Sequence, residues 1–216
     1  MVYSNRAEAG RRLAEHLWVW RAQQPVVIAL APRGTPLAVK IAETLGFPLD
    51  AVFVHEIAVP GRPAGVLGAV GEGGVRVVNQ EVCDRLGIGS GRLEREAHSA
   101  GDLAEGARRA LRAITPEVPV AGRTVILVND GVATGAAASV GIRILRDRGV
   151  ERIVFAVPVG ARGALRRLRP KVDALVCARV MPWPRPVDEW YEDYPEVTDD
   201  EAGRLLAGAG RWMTAA

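Results

Sequence analysis

Residues 125–137 read VILVNDGVATGAA, and this stretch decides the fold. Its first four residues are apolar and mostly β-branched, which is typical of a strand buried on both faces of a parallel sheet. The polar pair Asn129 and Asp130 follows, and a loop of small residues leads directly into residues with helical spacing. Ligands of open α/β sheets bind beyond the carboxyl ends of the strands, so the polar pair is expected to face a ligand.

The small residues of this loop favour phosphate as that ligand. Free N–H groups at a helix N-terminus attract anions, and small side chains let the backbone approach closely. Thr134 adds a hydroxyl group to the loop. Two other common phosphate loops are absent from the sequence: neither Lys40 nor Lys171 follows a glycine, and no G-x-G-x-x-G occurs.

Outward from this stretch, strand and helix patterns alternate along the chain. Short apolar runs predict strands at residues 26–30, 50–57, 124–128, 152–157 and 173–177. Helical spacing follows most of them, which predicts an α/β fold with a mostly parallel sheet and helices on both faces. Residues 67–78 predict a hairpin and residues 90–114 a long helix, so this part is interpreted as an insertion.

The composition limits the function classes. A chain of 216 residues with 49% hydrophobic and 25% charged residues fits a single globular domain, residues 1–216. The absence of a long apolar run or a signal-peptide core predicts a cytoplasmic protein that does not cross a membrane. Cys83 and Cys177 indicate no disulfide framework. A net charge of +3 without a basic block does not favour a nucleic-acid partner.

The stretch at 125–137 resembles the signature of the type I phosphoribosyltransferases, in which four apolar residues lead to two acidic residues and a loop ending in T-G-x-T. The resemblance implies catalytic roles for Asp130 and Asn129, which would hold the ribose 2′- and 3′-hydroxyls of phosphoribosyl pyrophosphate (PRPP). Asn129 stands where the family has an acid, so one negative charge is missing. The residues implied to bind the 5′-phosphate are Ala133, Thr134, Gly135, Ala136 and Ala137, the last of which replaces a hydroxyl residue.

A second stretch, APRGTPLA at residues 31–38, resembles the pyrophosphate loop of the same family. The resemblance implies that Arg33 and the N–H groups of Gly34 and Thr35 contact pyrophosphate. In the family's chain order, residues 60–119 correspond to a flexible lid. Residues 178–216 correspond to a C-terminal hood that recognises the acceptor.

Details of the lid and the hood stay open at this stage. The lid offers the arginines Arg76, Arg92 and Arg95, and the sequence does not indicate which reaches the site. In the hood, Trp190 and Tyr191 are candidates to stack on the acceptor base. The alternative is that they cover the sheet edge or pack against the last helix.

The implied activity is that of a glycosyltransferase, more narrowly a pentosyltransferase, of nucleotide metabolism. It would move the 5-phosphoribosyl group from PRPP to a nucleobase or related nitrogen acceptor and release pyrophosphate. Mg²⁺ would arrive with PRPP, with Asp130 as a candidate contact, because the sequence shows no metal-ligand spacing of its own. A homodimer is the family expectation, and the acceptor is left open.

The alternative is a non-catalytic, PRPP-binding regulatory protein, which the missing acid at Asn129 motivates. An Asn129→Asp change should raise turnover sharply in a damaged site. It should change little if asparagine is native to the chemistry.

Overall fold

The computed structural model describes residues 3–59, 62–183 and 185–213, and its strands form one seven-stranded sheet in the order β4-β3-β2-β1-β5-β6-β7. The strands are β1 Val26–Ala31, β2 Leu49–Val59, β3 Arg62–Gly71, β4 Arg76–Val78, β5 Thr124–Val128, β6 Arg152–Ala161 and β7 Ala174–Met181. The helices are α1 Arg6–Leu17, α2 Thr35–Leu45, α3 Gln80–Arg85, α4 Ser90–Arg112, α5 Ala136–Asp147, α6 Arg162–Leu168 and α7 Asp199–Met213.

The central strands pack into both layers of the protein, which explains their unbroken apolar character. In β1, Val27 and Ala29 belong to one core while Ile28 and Leu30 belong to the other. Helices α1, α2, α7 and the second half of α4 cover the first face, and α5 and α6 cover the second. β1 pairs in parallel with both β2 and β5, and β5, β6 and β7 continue in parallel. The predicted α/β fold with helices on both faces is therefore confirmed.

The predicted insertion is largely part of this sheet. The hairpin at 67–78 is confirmed as antiparallel β3 and β4, but β3 begins earlier and also pairs with β2 along residues 54–59. These residues extend beyond the end of β1, where Ala31 lies opposite Phe53, and so form a projecting arm. Together with β3, α3 and the first half of α4, the arm (residues 54–59) encloses a small separate core. Its buried residues are Ile57, Val59, Leu67, Val70, Cys83, Ala97 and Ala100.

Helix α4 runs from the arm back to the main core, where Ala104 and Leu111 are buried. Most of the segment 60–119 is thus tied to the rest of the fold. Residues 60 and 61 lie outside the described residues, and the role of the segment as a lid stays a prediction.

Both cysteines are free thiols, in agreement with the sequence. Cys83 is buried in the core of the arm, and burial raises the pKa of the Cys177 thiol to about 11. Cys177 therefore stays protonated near neutral pH and is a poor nucleophile. Over the ranges that the structure describes, no helix combines the length and the apolar character that a membrane span requires.

Candidate functional site

Four segments meet beyond the carboxyl ends of β1 and β5. They are the β1–α2 turn (residues 31–35), the signature loop (residues 129–137), the arm (residues 54–59) and the hood segment (residues 187–197). A Cβ atom on Gly34 would lie 2.6 Å from the carbonyl oxygen of Val128 and 3.2 Å from Cα of Asn129. A Cβ on Gly131 would lie 2.6 Å from Cγ1 of Val187. The turn and the hood segment therefore both contact the start of the signature loop.

The signature loop is held at its middle by the neighbouring strand. Val132 donates its N–H to the Val159 carbonyl at 3.0 Å and accepts from Ala161 N–H at 2.8 Å. Gly135 then adopts a φ of 84° and caps the N-terminus of α5. A left-handed conformation of this kind favours glycine, which explains the glycine at this position. The loop thus delivers the first turn of α5 to the edge of the sheet.

The exposed end of this loop presents unused N–H groups. Within the described part of the chain, the N–H groups of Ala133, Thr134, Gly135 and Ala137 have no protein acceptor. Thr134 Oγ1 accepts from the N–H of Ala136 at 3.3 Å. Convergent N–H groups at a helix N-terminus form a site for phosphate. Four of the five residues that the sequence assigned to the 5′-phosphate thus carry N–H groups without a protein acceptor, and their phosphate-binding role stays a prediction.

The β1–α2 turn differs from the expectation at its backbone. The N–H groups of Gly34 and Thr35 donate to the carbonyls of Leu30 at 3.0 Å and Pro32 at 3.1 Å. Both groups close the turn, so neither is free for pyrophosphate in this conformation, contrary to the sequence-based prediction. Arg33 is different: 62% of its side chain is exposed, and its Nη1 lies 3.5 Å from Glu56 Oε2. Of the three predicted pyrophosphate contacts, Arg33 alone is presented to a ligand.

Asp130 is buried and bound by other residues, which its sequence position did not reveal. It is 2% exposed, and its Oδ2 accepts from Arg6 Nε at 3.0 Å and from the Tyr194 hydroxyl at 2.6 Å. Among the contacts of the described residues, Oδ1 carries no hydrogen bond. One oxygen of the carboxylate is therefore fixed by two donors, and the other carries no hydrogen bond from the described residues.

Two further titratable groups, Glu56 and Tyr194, lie near this carboxylate. The pKa of the Glu56 carboxyl is raised, mainly by burial. The Arg33 guanidinium opposes this effect, and the Asp130 carboxylate adds to it. Burial and then the Asp130 carboxylate raise the pKa of the Tyr194 hydroxyl. Tyr194 thus keeps its proton at neutral pH and acts as the donor to Asp130.

Arg6, Glu56 and Tyr194 are site residues that sequence reasoning missed. Arg6 follows the α1 cap Asn5 and resembles any solvated arginine in a first helical turn. Glu56 falls inside a strand, and no motif marks it. Only Tyr194 gave a weak signal, as the aromatic residue three positions after Tyr191 in the hood.

Asn129 shapes the signature loop through its amide. Its Nδ2 donates to the carbonyl of Gly131 at 2.7 Å. This hydrogen bond needs an N–H donor. The carboxylate that the family pattern has at this position could not make it in this loop. The Asn129 side chain therefore stabilises the conformation of the signature loop.

Replacing Asn129 with aspartate is expected to destabilise the protein. The new carboxylate cannot donate to the Gly131 carbonyl and would face its oxygen, so we expect a loss of about 1–3 kcal/mol. Thermal unfolding checks this, with Asn129→Ala as the control that removes the donor without adding charge. An aspartate variant as stable as the wild type would contradict the assigned role of the amide.

The hood residues divide into two groups. Tyr191 is 4% exposed, its ring packs against Tyr3 and Tyr194, and its hydroxyl donates to the Asp130 carbonyl at 2.5 Å. It is therefore part of the packing and not placed to stack on an acceptor. Trp190 is half-buried and borders a pocket of about 210 Å³. The other residues that line this pocket are Met181, Pro182, Trp183 and Arg185.

The predicted lid arginines are not brought to the site. Arg76 pairs with Glu94 at 2.7 Å on the surface of the insertion, and Arg92 and Arg95 are exposed near the start of α4. Their roles stay open. No group of three or more metal-ligating side chains occurs among the residues with described placement.

Most of the chain is similar in sequence to known phosphoribosyl transferase domains. A family model described as a phosphoribosyl transferase domain matches residues 3–190. Rv0571c of Mycobacterium tuberculosis, named as a candidate phosphoribosyl transferase, is 32% identical over 212 residues. The alignment covers 97% of this chain and 47% of that protein, so the chain spans about half the length of the curated relatives it matches.

Two other proteins extend the comparison. The crystal structure of TT1426 from Thermus thermophilus superimposes with a TM-score of 0.75 at 35% identity, covering 96% of this chain and 99% of that one. A ribose-phosphate pyrophosphokinase from Pyrococcus furiosus is 27% identical over 176 residues, covering 70% of this chain and 61% of that protein.

Proposed function

Because the chain belongs to the phosphoribosyltransferase family, we propose that it transfers the 5-phosphoribosyl group of PRPP to a nitrogen acceptor and releases pyrophosphate. The family predicted from the signature at 125–137 is confirmed, and the proposed activity is that of a pentosyltransferase. A nucleobase or a related nitrogen compound is the proposed acceptor class.

The observation that carries this proposal is the open array of N–H groups in the signature loop, set directly after Asp130. The N–H groups and the positive end of the α5 dipole would bind the 5′-phosphate. The ribose would then lie against Oδ1 of Asp130, which would accept a hydroxyl hydrogen bond. Arg33, on the adjacent turn, would contact the pyrophosphate. The order of these groups along the sheet edge matches the order of phosphate, ribose and pyrophosphate in PRPP.

The reaction breaks the bond between ribose C1 and a pyrophosphate oxygen and forms a bond from the acceptor nitrogen to C1. Pyrophosphate leaves with the electron pair of the broken bond, and the proton of the acceptor nitrogen passes to solvent. Positive charge develops on the ribose ring as the leaving group departs, and nearby carboxylates stabilise it. The ion pair with Arg6 offsets the charge of Asp130 and so weakens its effect on the developing positive charge. The main role of Asp130 is therefore to accept a ribose hydroxyl and hold the ring in place. Glu56, beside Arg33, is the second carboxylate of the site.

The donor set of the site fits Mg²⁺ that arrives with PRPP. Glu56 and Asp130 supply the oxygen ligands that Mg²⁺ prefers, and they are too few to form a cage without substrate oxygens. When bound, the ion neutralises the charge of the departing pyrophosphate. Glu56 and Asp130 would therefore hold the ion only together with the substrate.

Trp190 and the arm are given roles in the proposed reaction because of where they lie in the fold. Trp190 and the adjacent pocket, rather than Tyr191, are proposed to contact the acceptor. The arm is proposed to close over PRPP, since a site that activates a sugar must exclude water. A homodimer in the cytoplasm remains the proposed setting.

Phosphorus NMR on the purified chain with PRPP, Mg²⁺ and a panel of purine, pyrimidine and other nitrogen acceptors tests the proposed activity. We expect pyrophosphate and a new C1-substituted ribose 5-phosphate in equal amounts, formed with one acceptor class. Formation of pyrophosphate and free ribose 5-phosphate without regard to the acceptor would contradict transfer, because it would indicate hydrolysis.

The Arg6–Asp130 ion pair favours one alternative, a PRPP-binding regulatory protein without turnover, because it withdraws charge from the carboxylate. Tight PRPP binding with no product from any acceptor would support it. Because the Asn129 amide serves the loop, the structure no longer leads us to expect that Asn129→Asp restores activity in such a protein.

A further inference from the structure

Arg6 joins three parts of the protein at the site. It is 4% exposed; its Nε donates to Asp130 Oδ2 at 3.0 Å, and its Nη1 donates to the Pro195 carbonyl at 2.7 Å. Its guanidinium carbon also lies 3.6 Å from the centre of the Tyr194 ring. A single buried side chain thus connects α1, the signature loop and the hood segment.

Tyr194 reaches the same oxygen from the hood. Its hydroxyl donates to Asp130 Oδ2 at 2.6 Å, while its ring rests against the Arg6 guanidinium. Both donors converge on Oδ2, although a carboxylate could accept them on separate oxygens. Two charge-assisted hydrogen bonds on one oxygen fix the plane of the carboxylate.

The N-terminal segment supports this arrangement through the backbone. Tyr3 N–H donates to the Trp190 carbonyl at 3.2 Å, and Glu192 and Asp193 donate their N–H groups to Tyr3 at 3.0 Å and Ser4 at 2.9 Å. Tyr3 and Ser4, which precede α1, are therefore paired with the hood.

We propose that Arg6 and Tyr194 are positioning residues that hold Asp130 by Oδ2 and so present Oδ1 to the ribose hydroxyls of PRPP. This inference rests on the proposed function. It adds that ribose recognition depends on the hood and on α1, two segments far from the signature loop in sequence. Phosphate and pyrophosphate recognition do not depend on them, because the N–H groups of 133–137 and Arg33 lie outside this network.

Tyr194→Phe tests the inference with little change in shape. We expect it to weaken the binding of PRPP and of ribose 5-phosphate about tenfold, the effect of one charge-assisted hydrogen bond. Inorganic pyrophosphate titrated without Mg²⁺ contacts neither the ribose site nor an ion on Asp130, and it should bind with unchanged affinity. Calorimetry with the three ligands measures each effect on the 216-residue chain.

Tyr3→Phe is the matched control. The Tyr3 hydroxyl is also buried in the layer between α1 and the hood, but it bonds to the Pro158 carbonyl at 3.4 Å rather than to Asp130. A purely structural role for tyrosine hydroxyls in this layer would make the two variants behave alike. The inference expects ribose 5-phosphate affinity to fall in Tyr194→Phe only.

Arg6→Lys provides a second test that keeps the charge. Lysine lacks the planar fork that reaches Asp130 and Pro195 together, so ribose 5-phosphate should bind more weakly while pyrophosphate should not. Equal losses for all three ligands, or none in either variant, would overturn the inference while wild-type PRPP binding left the proposed function standing. Failure of the wild type to bind PRPP would instead overturn the proposed function itself.

Discussion

Replacing Asp130 with asparagine is expected to lower turnover by roughly a hundredfold or more, the size of effect seen when a preorganised polar contact to a transition state is removed. The amide would place either a donor or a neutral oxygen where the ribose hydroxyls need a carboxylate. Steady-state rates with PRPP and the acceptor found by NMR measure the effect. Because Asp130 holds the ribose ring in place, we expect both a lower kcat and weaker PRPP binding.

The same substitution should also destabilise the fold, and the two effects must be separated. Asparagine leaves the buried Arg6 guanidinium without its counter-charge, which costs about 3–5 kcal/mol for a buried pair. The double variant Arg6→Met with Asp130→Asn removes both charges. Replacing a whole buried pair by neutral side chains is often close to neutral for stability.

We therefore expect the double variant to regain stability in a denaturant titration and to remain inactive. Activity recovered together with stability would show that Asp130 serves the fold and not the substrate. A fully active Asp130→Asn variant would directly contradict the catalytic role assigned to Asp130.

Gly34→Ala is expected to have the second-largest effect. A Cβ at this position would lie 2.6 Å from the Val128 carbonyl oxygen and 2.8 Å from the Leu30 carbonyl oxygen. Both obstacles are backbone atoms, so the β1–α2 turn would have to move away from the signature loop. Overpacking of this kind costs about 1–3 kcal/mol, and we expect the upper part of that range.

The displacement should also separate Arg33 from the ribose side of the site and weaken pyrophosphate binding at least tenfold. Gly106→Ala is the control, since nothing lies within 4 Å of a Cβ at that helical position. Alanine there should stabilise α4 by about 0.5–1 kcal/mol. If Gly34→Ala bound pyrophosphate as the wild type does, the close contact between turn and loop would not matter for the site.

The fold was predictable where the signal was local. The runs at β1 and β5 are apolar without interruption because each strand feeds both cores, and that pattern is visible in the sequence. The pattern of Thr198 followed by Glu201 three residues later is also a local signal, typical of a helix start, and Thr198 Oγ1 accepts from Glu201 N–H before α7. The early start of β3 was not, because its pairing with β2 is decided by tertiary contacts and not by residue type.

The site was predictable only in part for the same reason. The loop at 133–137 and Arg33 follow strand ends directly, so their place at the sheet edge follows from the fold. Arg6 and Asp130 are 124 residues apart, and no periodicity links them. The N–H groups of Gly34 and Thr35 are lost to the turn itself, a geometry that the resemblance to a pyrophosphate loop did not contain.

Calorimetric titration of PRPP with Mg²⁺ into the 216-residue chain tests the central claim most directly. We expect one site with a Kd in the micromolar range, corresponding to about −8 kcal/mol, from which ribose 5-phosphate and pyrophosphate each displace PRPP. Absence of binding at millimolar PRPP would contradict the account, because the signature loop, Asp130 and Arg33 would then not form a PRPP site.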